Sequence, residues 1–177
     1  MPNVLCIQAS PRQKGYTAKL LDSVTDGIKT VENVDYELVH ITKYFPISPC
    51  LSCWHCYVNE EHRCIINDSM GKKGEGELFK KGANTNGLFI AQPVYYGRPP
   101  SSVSLFFERF YPFMWSRELY GLPFASLSQA GNNGFMRSAN MAMARWASTF
   151  NLKYVGGLPV HLIYLEDAKK KAYNLGR

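Results

Sequence analysis

Four cysteines lie close together in the chain, and their spacing indicates redox chemistry. Cys50, Cys53, Cys56 and Cys64 form a C-x2-C-x2-C-x7-C run within fifteen residues. Three thiolates spaced three residues apart can surround one cuboidal iron–sulfur cluster, and a fourth that reaches back over a short loop would complete its ligands. The run therefore indicates a [4Fe-4S] site and electron-transfer chemistry.

Zinc is the main alternative for this run, because zinc binds four cysteines or three cysteines and one histidine, and His55 and His62 are nearby. Zinc sites usually take two ligand pairs from separate knuckles, which three cysteines within seven residues suit less well. Redox-active or idle thiols without any metal are a further alternative. The two histidines are expected to be loop residues, since four thiolates already complete a cluster.

Length, charge and the first residues limit the class of protein. The chain has 177 residues and a formal net charge of +6, with its basic residues scattered in short groups. A chain of this size can bury a core without disulfides, so the cysteines are not needed as cross-links. We see no secretion signal after Met1 and no apolar run of the roughly 18–20 residues that span a membrane. We therefore expect one cytoplasmic domain over residues 1–177, with no membrane or nucleic-acid partner.

Apolar strands alternate with amphipathic helices along most of the sequence. The predicted strands are 4–9, 36–41, 88–94, 124–129 and 154–162, and the predicted helices are 17–28, 101–110, 135–150 and 166–173. This alternation predicts an α/β fold, a doubly wound sheet of five parallel strands with helices on both faces. The uninterrupted apolar run 88–94 suits the middle of the sheet. Residues 46–64, which carry the cysteines, do not fit the alternation and are expected to form a loop.

Three connections carry ligand-type chemistry, and each follows a predicted strand. In open α/β sheets ligands bind beyond the carboxyl ends of the strands. Residues 10–17 combine hydroxyls, Arg12 and a helix N-terminus, which suits a phosphate. They match neither the P-loop nor the G-x-G-x-x-G motif. Helix capping by Ser10 and Thr17 is the alternative.

The other two connections suit the planar part of a ligand. Residues 93–97 place two tyrosines after the central strand, where aromatic walls can hold a heterocycle. Packing of the same tyrosines against a helix is equally compatible with the sequence. Residues 128–134 contain glycines that would let the backbone approach a ligand closely, although turn formation alone would also explain them.

The order of these motifs resembles a known family. S-P-R-x-x-G-x-T after the first strand, P-C-x-x-C-x-x-C with a later cysteine, Asn67-Asp68-Ser69-Met70 and P-V-Y-Y-G follow one another along residues 3–160. Together they resemble the iron–sulfur flavoproteins of the flavodoxin-like NAD(P)H-dependent FMN reductase superfamily. The resemblance implies a flavodoxin-like fold and an FMN-dependent oxidoreductase.

The resemblance also implies which residues bind which group. For FMN, the implied residues are Ser10, Arg12, Gly15, Tyr16 and Thr17 at the phosphate, Pro93, Val94, Tyr95, Tyr96 and Gly97 along the isoalloxazine, and Ala130 and Gly131 from the third loop. For the [4Fe-4S] cluster, they are Cys50, Cys53, Cys56 and Cys64. Relatives of this kind form homodimers or homotetramers that bring the cluster of one subunit close to the flavin of another. Reduced ferredoxin or NAD(P)H is the implied electron donor.

Two other functions remain open from the sequence. One is a cluster-free NAD(P)H-dependent FMN or quinone reductase, and the other is a zinc protein that binds nucleic acid. Scattered charge and the lack of a nucleic-acid-reading motif disfavour the second. No side chain is named as a catalytic acid or base, because the flavin itself carries the chemistry.

Overall fold

The computed structural model of the chain describes residues 1–71, 75–131 and 134–177. In that part of the chain, five strands form one parallel sheet with the order β2-β1-β3-β4-β5. They are β1 (Asn3–Gln8), β2 (Asp35–His40), β3 (Gly87–Pro93), β4 (Pro123–Ala130) and β5 (Lys153–His161). The five predicted strands are confirmed to within one residue at each end, and so is the flavodoxin-like doubly wound fold.

The centre of the sheet is β3, as its apolar sequence predicted. All seven of its residues are buried, whereas the edge strands β2 and β5 each expose residues along their length. A strand that is covered on both faces has no solvated side and therefore shows a continuous apolar run.

Helices cover both faces of the sheet. They are α1 (Tyr16–Ile28), α2 (His55–Val58), α3 (Glu77–Ala83), α4 (Ser101–Glu108), α5 (Tyr111–Ser116), α6 (Phe135–Thr149) and α7 (Leu165–Gly176). The predicted helices α1, α6 and α7 are confirmed, whereas α2, α3 and α5 were not predicted. The predicted helix 101–110 is wrong at its end, because the chain stops at Glu108 and starts a new helix at Tyr111. Pro112 explains the break, since proline fits the first turn of a helix and lacks the N–H that a continuing helix needs.

Each face of the sheet has its own apolar core. The face under α3, α4, α5 and α6 is rich in phenylalanine, and the face under α1 and α7 is aliphatic. Helices α1 and α7 pack closely at two glycines. A Cβ atom on Gly27 would lie 2.1 Å from the Tyr173 carbonyl oxygen, and one on Gly176 would lie 2.1 Å from the Val24 carbonyl oxygen. Any larger residue at either position would separate the two helices.

The chain changes direction between β1 and β3. Strand β1 pairs with β2 on one side and with β3 on the other, so the connections that leave β1 and β3 diverge at their carboxyl ends. This divergence opens a crevice of the kind in which doubly wound proteins bind ligands. None of the helices in the described residues has the length and apolarity that a bilayer crossing requires.

Candidate functional site

An open cleft lies at the carboxyl edge of the sheet, at the divergence of β1 and β3. The empty space between its walls, including the part open to solvent, is about 980 Å³. The residues lining it are Ser10, Arg12, Lys14, Gly15, Tyr16, Thr17, Lys19, Pro93, Val94, Tyr95, Gln129, Ala130, Gly131 and Leu162. The structure thus brings together all three connections that the sequence singled out, although Asn132 and Asn133 of the third lie outside the described residues.

One end of the cleft is suited to an anion. The backbone N–H of Gly15 donates to the Arg12 carbonyl oxygen at 3.1 Å, closing a turn that leads directly into α1. A Cβ atom at Gly15 would lie 3.1 Å from the Arg12 Cβ, so this tight turn favours glycine. Within the described part of the chain, no side chain caps the N-terminus of α1, so its first N–H groups can bind a ligand.

Three cations line the same cleft. Arg12 was predicted, whereas Lys14 and Lys19 were missed. Lys19 lies on the first turn of α1, with its Nζ 5.7 Å from the centre of the Tyr16 ring. A positive cluster beside a helix N-terminus attracts a phosphate through both its charge and the helix dipole. Lys19 lies in the first turn of the predicted helix 17–28, directly after the predicted phosphate loop, and this position was the signal that could have identified it.

The floor of the cleft has a buried amide with an unused acceptor. Gln129 Nε2 donates to Thr17 Oγ1 at 3.1 Å, and this bond joins the end of β4 to the start of α1. The Gln129 Oε1 atom is buried without a hydrogen-bond partner among the described residues. Buried polar atoms are nearly always paired, so this oxygen is a place for a donor from a bound ligand. Gln129 was not predicted as a site residue.

Of the five predicted site residues in the connection after β3, three line the cleft and two form a turn at its edge. Pro93, Val94 and Tyr95 line the cleft, and the Val94 N–H donates to the Gln129 carbonyl oxygen at 3.0 Å. Tyr96 and Gly97 instead occupy the two central positions of a tight turn, with φ of +50° and +76°. Two positive φ values in succession define a type I′ turn. The Tyr96 side chain is fully exposed, so any contact of Tyr96 with a ligand stays a prediction.

The cysteine run forms a second pocket on the face covered by α4 and α5. It contains α2, whose four residues are the regular element of the run. All four cysteines line this pocket, together with Trp54, Tyr57, Glu108, Arg109, Tyr111, Pro112 and Trp115 among others. Ser52, Trp54 and His62 have positive φ, an uncommon conformation for side-chain-bearing residues that is concentrated in functional loops.

The thiols are close enough to influence one another. Burial raises the pKa of Cys56, and the charges of Cys64, Cys50 and Cys53 raise it further. Cys53 is exposed and the other three are half-buried. Within the described residues no three His, Cys, Asp or Glu side chains are grouped to hold a metal ion. The sulfurs that ligate a cuboidal cluster bind separate corner irons and therefore stand further apart than ligands around a single ion.

His62 is bonded to the loop backbone, and His55 lies in α2 rather than in a loop. The His62 Nδ1 donates to the Cys56 carbonyl oxygen at 3.0 Å, which ties the far end of the loop to α2. Tyr57 packs against Trp115 of α5 with ring centres 4.6 Å apart, and Trp54 meets Tyr57 edge-on at 5.8 Å. These aromatic contacts hold α2 and the cysteines against α5.

A buried ion pair borders the cysteine pocket and was missed by sequence reasoning. Arg109 Nη1 lies 2.6 Å from Asp68 Oδ2, and both side chains are nearly inaccessible. Arg109 Nη2 donates to the sulfur of Cys64 at 3.2 Å. Nothing in the sequence indicated this contact, because Arg109 falls in a predicted helix and lies 45 residues from Cys64.

Comparison with known proteins agrees with this geometry. Residues 2–162 match the profile of the NADPH-dependent FMN reductases. The chain belongs to the NADPH-dependent FMN reductase family. The description of this family names FMN as the flavin that is reduced and NADPH as the reductant.

Archaeal iron–sulfur flavoproteins are among the similar sequences. The protein of that name from Methanocaldococcus jannaschii is 28% identical over 109 residues, which cover 62% of this chain and 52% of that protein. The one from Archaeoglobus fulgidus is 30% identical over 109 residues, covering 60% of this chain and 44% of that protein. The chain thus spans about half the length of the curated relatives it matches.

Solved structures of flavin-dependent reductases share the fold. An FMN-dependent NADH-azoreductase from Bacillus anthracis, in complex with FMN, has a TM-score of 0.70 at 14% identity and covers 99% of this chain and 98% of its own. An NAD(P)H:quinone oxidoreductase from Methanothermobacter marburgensis has a TM-score of 0.67 at 15% identity, with 99% and 98% covered. At such identities the likeness establishes the flavodoxin-like fold alone.

Proposed function

We propose that this FMN reductase family member is an electron-transfer iron–sulfur flavoprotein, with FMN in the cleft and a [4Fe-4S] cluster on Cys50, Cys53, Cys56 and Cys64. The observation that carries the proposal is that all four cysteines line one pocket, although seven residues separate Cys64 from Cys56. When bound, the two groups supply interconversion of two-electron and one-electron transfer, which suits a donor and an acceptor of different kinds.

The cleft has groups suited to the phosphate of FMN and to a hydroxyl of the same ligand. Arg12, Lys14 and Lys19 and the N-terminus of α1 would hold the phosphate, and the free Gln129 oxygen would accept from a ligand hydroxyl. The proposed FMN contacts remain Ser10, Arg12, Gly15, Tyr16, Thr17, Pro93, Val94, Tyr95, Tyr96, Gly97, Ala130 and Gly131, with Lys14, Lys19 and Gln129 added. The turn at Tyr96 and Gly97 would act through its backbone, because it carries Tyr95 to the edge of the cleft.

The cysteine pocket fits a cluster better than a single ion. Its walls are mostly apolar or aromatic, and a buried guanidinium donates to one of the thiols. Thiolate ligation combined with hydrogen bonds to sulfur and partial exclusion of water is the usual environment of an iron–sulfur centre. The names of the archaeal relatives support the same assignment.

The partners follow from this chemistry. NADPH would deliver two electrons to the flavin, and a ferredoxin would exchange single electrons with the cluster. Quinones are proposed acceptors, alongside oxygen or peroxide. In the described residues the two pockets have no lining residue in common, and a homodimer or homotetramer could bring the cysteine pocket of one subunit to the cleft of another.

Replacement of one cysteine tests the cluster assignment. Cys53 is exposed, so Cys53→Ala should leave the fold intact. Cys6→Ala, in the buried core of β1, is the matched control. We expect Cys53→Ala to lose the broad visible absorption and the iron of the cluster while it retains FMN, and Cys6→Ala to retain both. Equal iron content in the two variants, or iron-free wild-type protein from an anaerobic preparation, would refute the assignment.

A cluster-free NAD(P)H-dependent FMN or quinone reductase is the second candidate. It is supported by the family description itself, which names NADPH-dependent reduction of FMN. In that case iron-free protein should be reduced by NADPH and reoxidised by a quinone at the rate of the anaerobic preparation. A large loss of quinone reduction on removal of iron would reject this candidate.

A further inference from the structure

The Arg109 guanidinium lies where it can act on the cysteine ligands. It is the residue that follows α4, and it is only 1% exposed. Its Nη1 donates to the Ser48 carbonyl oxygen at 2.9 Å, and both Nη atoms donate to Asp68, at 2.6 and 3.1 Å. The Nη2 atom also donates to Cys64 Sγ at 3.2 Å. One planar group therefore joins the end of α4 to Ser48, Asp68 and the sulfur of Cys64. We call this set of contacts the Arg109 bridge.

Asp68 fixes the guanidinium in place. Its carboxylate accepts from the backbone N–H groups of Ser48 and Met70, each at 2.9 Å, in addition to the two bonds from Arg109. Its oxygens are thereby saturated, and the side chain is 6% exposed. Asp68 belongs to the Asn67-Asp68-Ser69-Met70 motif, so the motif has a structural role as the anchor of the bridge.

The local backbone is shaped around the bridge. A Cβ atom at Gly71 would lie 2.6 Å from Arg109 Nη2, so glycine leaves the space that the guanidinium occupies. Among the residues that the structure describes, the buried Nε atom of Arg109 has no hydrogen-bond partner. Burial of an ion pair costs desolvation energy, and apolar residues of similar volume often replace such pairs without loss of stability. Stability alone is therefore a weak reason for a bridge at this position.

We propose that Arg109 positions Cys64 as the fourth cluster ligand and raises the reduction potential of the cluster through its hydrogen bond to the Cys64 sulfur. This inference rests on the proposed cluster. Hydrogen bonds to ligand sulfurs and nearby positive charge stabilise the more negative, reduced state of an iron–sulfur centre. Of the four cysteines, Cys64 depends most on a contact that fixes its position, because seven residues separate it from Cys56 whereas the other three share one short segment.

The test compares three variants with anaerobically purified wild-type protein. Arg109→Met with Asp68→Asn removes the donor without leaving an unpaired buried charge, and Asp68→Asn alone keeps the donor. Arg63→Met is the charge control, since Arg63 adjoins Cys64 in sequence but pairs with Glu118 at 2.5 Å. EPR-monitored redox titration gives the midpoint potential of the cluster, and resonance Raman spectroscopy gives the Fe–S(Cys) stretching frequencies.

We expect the double variant to shift the midpoint potential to lower values than those of wild type and Asp68→Asn, by more than Arg63→Met does. Its Fe–S(Cys) stretches should move to higher frequency, because the ligand sulfur has lost a hydrogen bond. A three-iron cluster in the double variant alone would likewise support positioning of Cys64. Unchanged potentials and stretches in an iron-replete double variant would overturn the inference and leave the proposed function intact. Iron-free wild-type protein would overturn both.

Discussion

At the scale of single residues, the cationic side chains of the two pockets differ in their exposure and in their bonding. Arg12, Lys14 and Lys19 line an open cleft, whereas Arg109 is buried and both of its Nη atoms are held by fixed partners. The sequence predicted Arg12, because it lies in a connection with other phosphate-binding features. It did not predict Arg109, since its role arises from contacts with residues more than 40 positions away.

Loss of one cleft cation should weaken FMN binding. We expect Arg12→Gln to raise the Kd for FMN about tenfold, the equivalent of roughly 1.4 kcal/mol, because a charged donor to the phosphate is lost. Lys170→Gln makes the same change in net charge on exposed α7, away from the cleft, and should leave the Kd unchanged. Fluorescence titration of flavin-free protein measures both. Equal effects of the two variants would show that Arg12 acts only through overall charge.

The buried thiol of β1 should differ from the loop thiols. Burial raises the pKa of Cys6 to about 12. In iron-free folded protein at pH 8, iodoacetamide should therefore spare Cys6 and reach it only after unfolding, as mass spectrometry of peptides would show. Modification of Cys6 at the rate of a denatured control would contradict its placement in the core.

The same pKa shift makes stability depend on pH. Above about pH 9 an unfolded chain loses the Cys6 proton while the folded chain keeps it, so the free energy of unfolding falls as pH rises, by at most about 1.4 kcal/mol per unit. The decline from Cys6 continues until about pH 12. Denaturant unfolding between pH 8 and 10 should show a shallower decline in Cys6→Ala. Parallel slopes in the two proteins would contradict this.

At the scale of elements, hydrophobic pattern predicted the sheet but not the pocket walls. A strand that is buried on both faces shows a short continuous run of apolar residues, and β3 and β4 were therefore identified from the sequence alone. The short helices α2, α3 and α5 were missed. Helices of four to seven residues are not stable by themselves and form here through tertiary packing, such as that of α2 against α5.

Substitutions in the turn after β3 test whether the conformation of this turn affects FMN binding in the cleft. Gly97→Ala should destabilise the turn by about 1–2 kcal/mol, because alanine resists positive φ, and its Cβ would also lie 3.3 Å from the Phe135 ring. FMN affinity should fall with it. Tyr96→Asn, which creates the Asn-Gly pair preferred in type I′ turns, should keep the melting temperature and FMN affinity at or above wild type. A large loss of affinity in Tyr96→Asn would show instead that the tyrosine ring contacts the flavin.

At the scale of the whole molecule, the cysteine loop leaves large apolar side chains uncovered. Leu51, Trp54, Tyr57 and Val58 are each half or more exposed. A contiguous apolar surface of this kind is typical of an interface between proteins. The sequence predicted a homodimer or homotetramer through its family resemblance, while the surface that would be buried is visible only once the loop is folded.

The oligomeric state follows as a prediction. Light scattering coupled to size-exclusion chromatography should give a mass of two or four times the 20.1 kDa of one chain. Leu51→Lys combined with Val58→Lys should lower that mass, because it places charge within the uncovered surface. A monomeric wild-type protein that still carries flavin and iron would contradict an obligatory role for assembly.

Iron, acid-labile sulfide and FMN content of protein purified without oxygen tests the central claim most directly. If the four cysteines of one pocket hold a cluster and the cleft holds FMN, the protein should contain about four iron, about four sulfide and one FMN per chain, with the Mössbauer spectrum of a single [4Fe-4S] cluster. Stoichiometric FMN with no iron, or with one zinc in its place, would contradict the account.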